Sequence, residues 1–381
     1  MLKNKIYKYF TIEILKSFIT ILFALSAIAW TVRAVSFLDL VVENGHSVST
    51  YLLFSLLNLT NIITKFIPLS FLIALLLSIL KFEKQNELII LWTTGVSKLK
   101  IVNLFLFISI IVLLIQLSFA VFITPNSLNK SRFLIKSSNF DSVTSVIKLN
   151  DFTDSFKNLT FYVEKKNDLQ EMENIFIRDE SGTFNSLSSN SESSSNTTII
   201  ARTGIFKGKK LILNNGIIQS QNDKDKIEVI NFKKTELSIE NMSPRTIVEP
   251  KLQETKTSLL LQCIVNIQDY SNTKIDNCPK KGMKKDVVST LSRRIGMPLY
   301  IPLVSLLCSF LLISSRKKSF NFIKRYIYFL LSFAILVLAE ISVRFTGFSD
   351  YHTLYYFLFP TLLMPIVYLI LFRAIKTEKK I

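Results

Sequence analysis

The chain has 381 residues, 49% of them hydrophobic, and a formal net charge of +18. The charge raises nucleic acid as a partner, but the Lys and Arg residues mostly flank long apolar runs, which is how a membrane protein sets its topology. Two histidines, and three cysteines without CxxC or zinc spacing, give no basis for a metal centre, and no catalytic constellation is present.

A spanning helix needs roughly 20 mostly apolar residues. The first such run, 14–35, lacks a small-residue cleavage site and reads as an uncleaved first span. The second, 55–80, carries Lys65 and Pro68, which a kinked helix facing protein or water tolerates. A third run covers 101–123. Residues 125–250 then change character. "LTFYVEKK", "NIFIRDE", "TTIIART", "KKLILNNGIIQS", "KIEVINF" and "TELSIE" are short alternating runs, predicting an antiparallel sandwich or open barrel. Asn215-Gly216 predicts a two-residue hairpin, because both residues tolerate positive φ. "SGTFNSLSSNSESSSNTT" reads as a mobile loop. A helical return segment occupies 251–295, and further spans follow at 296–314, 326–343 and 354–372. The predicted fold class is an α-helical integral membrane protein with six transmembrane helices, three on each side of an inserted all-β domain. Its divisions are 1–124, 125–250, 251–295 and 296–381.

Orientation follows from the short connections. Lys3, Lys5, Lys8, Lys81, Lys84, Lys98, Lys100, Arg316, Lys317, Lys318, Lys324, Arg325 and Arg373 fall on one side. The positive-inside rule therefore predicts both termini in the cytoplasm and 124–295 outside.

Three features bear on chemistry. "GIFKGKK" superficially looks like a phosphate loop, but lacks the glycine spacing and the hydroxyl after Lys, and it sits among the strands. "FEKQNELIILWTTGVSK" predicts a short helix over about 83–94, closed by Gly95 in a left-handed cap, with Ser97 capping the next helix. Spacing alone lets this helix either lie on lipid headgroups or fit a partner's groove through Glu87, Leu88, Leu91 and Trp92. Arg33, Lys65, Arg293 and Arg294 come near the outer span ends. Each cation either snorkels to the headgroups or binds an anionic amphiphile, and Lys280, Lys281, Lys284 and Lys285 add charge nearby. Cys263 and Cys278 fall in the outer region, where they either pair or stay free thiols; Cys308 is an apolar side chain within the fourth span.

"YKYFTIEILKSF", "FIPLSFLIALLLSILKFEKQNELIILWTTGVSK" and "LSRRIGMPLYIPL" resemble the LptF/LptG permease family of the lipopolysaccharide ABC exporter. The resemblance covers essentially the whole chain, and "VENGHSVSTYLLFSLLNL" leans to the LptF side. It implies a heterodimer with a paralogous permease subunit, a cytoplasmic ATPase dimer of LptB type, and a periplasmic jellyroll bridge of LptC/LptA type. It also implies a Gram-negative inner-membrane location, and no nucleic acid. The 83–94 helix would be the coupling helix with Glu87 as its acidic residue, and the β domain a jellyroll that continues the lipid path. No cofactor is expected in this chain, ATP and Mg2+ belonging to the partner ATPase. Another class remains open: a membrane-anchored scaffold or sensor whose β domain binds a partner without transport. A lipoprotein-releasing permease fits less well, having one span before its large domain and three after.

Overall fold

The structure, a computed structural model, describes residues 2–38, 41, 47–146, 149–156, 159–167, 171–180, 194–207, 210–222, 227–238, 251–265, 281–313 and 318–378. Its contacts divide it into two units. A helical unit holds Met1–Val32, Leu57–Asn129 and Lys251–Ile381, and a second unit holds Arg33–Leu56 and Lys130–Pro250.

The helices before the strands are α1 (Leu2–Ser36), α2 (Val48–Lys84), α3 (Glu87–Thr93), α4 (Lys98–Ser118) and α5 (Thr124–Val146). A π-helical turn, Phe119–Ile123, joins α4 to α5. After the strands come α6 (Thr257–Val265), α7 (Lys281–Gly296), α8 (Tyr300–Ser309), α9 (Lys318–Ser342) and α10 (Asp350–Glu378). Six helical stretches are long and apolar enough to cross a membrane: Lys5–Ser36, Val48–Lys84, Lys98–Ile135, Lys284–Leu312, Arg325–Ser342 and Asp350–Glu378. Each predicted span falls on one of them. The chain is a multi-pass membrane protein.

Burial ranks these spans. The fourth is 72% buried over its most apolar window, while the first, fifth and sixth are each 17% buried. Every residue of α8 is buried, and α8 packs against α4, α9 and α10. The fourth span is thus the centre of the helical unit. Its close approach uses small side chains: Ser305 and Ser309 on α8, Ser109 on α4 and Ser332 on α9 are fully buried. Lipid tails are as apolar as Leu, so close packing at small residues has to hold such helices together. The exposed apolar side chains of α1, α9 and α10, such as Phe23, Leu330 and Leu362, suit a hydrocarbon surround.

The second unit carries one six-stranded antiparallel sheet in sequential order: β1 (Thr153–Phe156), β2 (Leu159–Lys166), β3 (Glu171–Asp179), β4 (Ser194–Lys207), β5 (Lys210–Asn222) and β6 (Ile227–Ser238). The first part of the predicted mobile loop, 181–193, lies outside the described residues; its end, from Ser194, is strand. "GIFKGKK" is the end of β4 and the start of β5, with Lys207 paired to Lys210.

The predicted hairpin at Asn215-Gly216 does not form. Asn215 does take positive φ, 52°, yet β5 runs straight through it, and Gly216 pairs with Ala201 on one side and Phe232 on the other. The reason lies in the neighbouring strands. Pairings on either side align Glu164, Asn174, Arg202, Asn215 and Lys233 in one row across the sheet. Asn174 also has φ 52°. Inward-facing residues change parity at this row: Met172 to Ile175 in β3, Ala201 to Gly204 in β4, Leu213 to Ile218 in β5, and Phe232 to Leu237 in β6. All four strands spend one residue on a shared crease, and register survives. Because of the crease, Leu211 and Leu213 from one half-sheet join Ile199 and Ile218 from the other in a single core. The two short runs "KIEVINF" and "TELSIE" are likewise one strand, creased at Lys233. An added Cβ on Gly216 would lie 2.2 Å from the Ile200 carbonyl oxygen and 2.6 Å from Phe232 Cζ. Gly216→Ala should therefore destabilise the chain by about 1–3 kcal/mol through overpacking. A thermal unfolding scan of the purified protein measures it, and an unchanged midpoint would refute the close approach.

Candidate functional site

Two places in the helical unit gather the residues singled out by sequence. The first is α3. The expected helix over 83–94 is divided: Glu83 and Lys84 finish α2, and Asn86, in the left-handed conformation at φ 59°, turns the chain before α3 begins at Glu87. Asn is among the few residues that tolerate this region. The far end is a Schellman motif: Val96 N donates to Leu91 O, Gly95 N donates to Trp92 O, and Gly95 has φ 82°. Val96 and Leu91, the hydrophobic pair that accompanies this motif, are both buried. Ser97 stands at the start of α4 as expected, but its hydroxyl makes no cap bond.

This geometry settles which side of α3 faces out. Leu88 and Leu91, expected on the docking face, are turned into the bundle's own core with Phe10 and Phe82. Trp92 is partly buried against that core and lies under Lys98 Nζ, 5.6 Å from its ring centroid. Ile89 and Ile90, at 56% and 57% exposure, are the apolar residues left outside. Glu87 has one oxygen held by the Tyr9 hydroxyl at 3.1 Å, and its Oε2 is buried with no partner among the described residues. Ion pairs frame the helix. Glu13 pairs with Lys81, Glu83 with Arg325 at 2.7 Å, and Lys98 with Glu378 at 2.6 Å. They tie span one to two, two to five, and three to six.

The second place is a cavity of about 360 Å3 between four helical segments. Thr64, Lys65 and Pro68 line it from α2; Gln116, Ala120 and Thr124 line it from the third span. From α7 come Thr290, Arg293 and Arg294, and from α9 Phe333, Val337 and Glu340. These spacings of three, four and seven place each set on one helix face. Pro68 has no N–H for the Thr64 carbonyl, and the Thr64 hydroxyl meets that of Thr124 at 2.8 Å. The cavity thus brings together Lys65, Arg293 and Arg294 of the four cations singled out. Arg33 is not among its lining residues; it is exposed in the last turn of α1, in the second unit.

The two arginines differ. Arg293 pairs with Glu340 at 2.7 Å, and both side chains are partly exposed. Arg294 is buried, and its guanidinium donates to Thr257 Oγ1 at 2.7 Å and to the carbonyls of Leu252, Gln253 and Thr255. Thr257 in turn donates to the Val121 carbonyl at 2.8 Å, inside the π-helical turn. Arg294 therefore fastens the segment after the sheet to spans three and four through both terminal nitrogens of its guanidinium. Cys263 is disulfide-bonded and Cys308 is free and buried; Cys278 lies outside the described residues.

Residues missed by sequence reasoning are Ile89, Ile90, Gln116 and Glu340. The last two carried a signal: Glu340 is the acidic residue within the apolar run 326–343 and Gln116 a long polar side chain within the run 101–123, and an intramembrane ionisable or polar residue is a functional hypothesis by default. Among the described residues no group of His, Cys, Asp and Glu is placed to hold a metal.

Part of the chain is 28% identical over 174 residues to the uncharacterised protein RP871 of Rickettsia prowazekii (strain Madrid E), covering 45% of this chain and 48% of that relative. The matching region is therefore about half of each. Over residues 8–374 the sequence matches the family described as lipopolysaccharide export system permease LptF/LptG. That match takes in all six spans and the inserted sheet, and the chain belongs to the LptF/LptG family.

Proposed function

We infer that this chain is one membrane subunit of a lipopolysaccharide exporter, catalytically silent itself and driven by ATP hydrolysis in a partner. The observation that carries this reading is α3: a seven-residue helix locked between spans two and three, with two bare isoleucines at its surface. A scaffold has no need of such a device. In this reading α3 and both termini lie in the cytoplasm of a Gram-negative inner membrane, and the sheet lies in the periplasm. Ile89 and Ile90 seat in a groove of an ATPase of LptB type, whose bound ATP and Mg2+ drive the cycle. Glu87, held by the Tyr9 hydroxyl at the start of α3, lies beside that interface. The second permease subunit is the paralogue, with this chain on the LptF side, and the sheet hands lipid to a bridge of LptC/LptA type. Lys65, Arg293 and Arg33 are the cations we assign to lipid phosphates, while Arg294 holds the frame.

Purification of the tagged full chain from its own membrane tests this. Mass spectrometry should find the ATPase, the paralogous subunit and lipopolysaccharide together. An intact chain that brings down no ATPase would replace the exporter reading with the scaffold one.

A further inference from the structure

Spans two and three are each broken by a proline, and the two breaks meet. Pro125 has no N–H, so the Val121 carbonyl four residues before it lacks its helical donor. The helix widens there into the π-helical turn Phe119–Ile123, where Thr124 N donates to the Phe119 carbonyl. Pro68 denies the Thr64 carbonyl in the same way inside α2. Pro68 lies about 24 Å along the helix from the end of α2, and the π-helical turn about 30 Å from the start of α4. Both breaks thus stand at a similar distance from α3. They also touch: the Thr64 and Thr124 hydroxyls lie 2.8 Å apart, and both bond the Thr60 carbonyl. On the α3 side of this level, Glu13–Lys81, Glu83–Arg325 and Lys98–Glu378 pin spans two and three to the others. At the level itself, Pro68 and Pro125 both line the cavity, so neither break is clamped from that side.

One contact fills the gap that Pro125 leaves. The Thr257 hydroxyl donates to the Val121 carbonyl at 2.8 Å, and Arg294 Nη1 donates to Thr257 Oγ1 at 2.7 Å. Thr257 is 8% exposed and Arg294 6%, so water scarcely competes for these bonds. Arg294 Nη2 meanwhile holds the carbonyls of Leu252, Gln253 and Thr255, in the segment that follows the sheet. We propose that Pro68 and the π-helical turn form a paired hinge, and that Thr257, aimed by Arg294, is the latch that holds it. A shift of Leu252–Thr255 withdraws the hydroxyl and leaves the Val121 carbonyl bare. The outer part of span three then swings while its inner part stays pinned, and span two follows through the Thr64–Thr124 contact. The segment after the sheet thereby gains a direct hold on two spans. This device goes beyond the exporter reading, needing neither an ATPase nor lipid to operate.

The test uses the full chain in a neutral detergent. Amide hydrogen exchange reports opening at residues 119–128. Nitroxides on Phe107→Cys and Phe133→Cys, both exposed positions, report the bend of span three. Along a straight helix they would stand about 39 Å apart. Thr257→Val keeps the side chain's shape and removes its hydroxyl. It should speed exchange at 119–128 about tenfold, the scale of one buried hydrogen bond, and add shorter distances between the labels. Thr257→Ser should behave as the native chain does. Pro125→Ala restores the missing N–H, so it should slow exchange there, narrow the distances and abolish the effect of Thr257→Val. Because Pro125→Ala predicts a gain in protection, a misfolded variant cannot imitate it. Exchange at 119–128 that ignores Thr257→Val, or that rises equally along the whole chain, overturns the hinge. Failure of Thr257→Ser to rescue, or a Pro125→Ala chain still sensitive to Thr257→Val, overturns the latch. The exporter reading would survive any of these failures, because it stands on co-purification of the ATPase.

Discussion

Ile89→Asp combined with Ile90→Asp should strip the ATPase from the purified complex while leaving the chain folded in the membrane. Both side chains are more than half exposed, so their replacement should change stability by less than about 0.5 kcal/mol each. At an interface, two buried anchors carry about 2 kcal/mol apiece, so ATPase affinity should fall roughly a hundredfold or more. Leu88→Ala or Leu91→Ala should behave in the opposite way. Each opens a hole beside Phe10 and Phe82 and should cost about 2–5 kcal/mol of stability. Pull-down of the ATPase and thermal unfolding in detergent, measured on the same three variants, separate the two effects. If the aspartate pair retains the ATPase and the leucine variants lose it without loss of stability, the faces of α3 have been assigned the wrong way round.

The adjacent arginines should part company just as clearly. Arg294→Ala removes the donor shared by three carbonyls and Thr257, at a site where the side chain is 6% exposed. Leaving such groups without a partner should cost about 3–5 kcal/mol. The fastening at Leu252–Glu254 should loosen, and limited proteolysis should open the chain there first. Arg293→Ala breaks only a partly exposed pair and should cost no more than about 1 kcal/mol. Its effect belongs to lipid binding. Equal destabilisation by both substitutions would refute the division of labour between them.

What the sequence made legible and what it hid follow from the range of the forces involved. Span positions are legible because about 20 consecutive apolar residues leave few alternatives in a bilayer. The ends of α3 were readable at Gly95, where left-handed backbone demands glycine, but not at Asn86, since Asn in a polar stretch has many other uses. Which side of α3 faces out was not readable. Leu88, Ile89, Ile90 and Leu91 are equally apolar, and only the position of Phe10 and Phe82 decides which of them are covered. The arginines show the same limit, because adjacent residues on a helix point about 100° apart and meet different neighbours. Asn215-Gly216 misled for a different reason. The positive φ was read correctly, but a crease and a hairpin use the same local conformation, and only the neighbouring strands distinguish them.

That crease fixes how the sheet can change in length. Because β3, β4, β5 and β6 switch faces at one common row, losing a single residue there from one strand would turn that strand inside out beyond the row. Ile218 would point outward while its partners across the ladder still pointed in, and the core would be lost on that side. Single insertions and deletions are therefore confined to the turns between strands. The sheet can grow or shrink at its ends, but its middle must change in all of these strands at once.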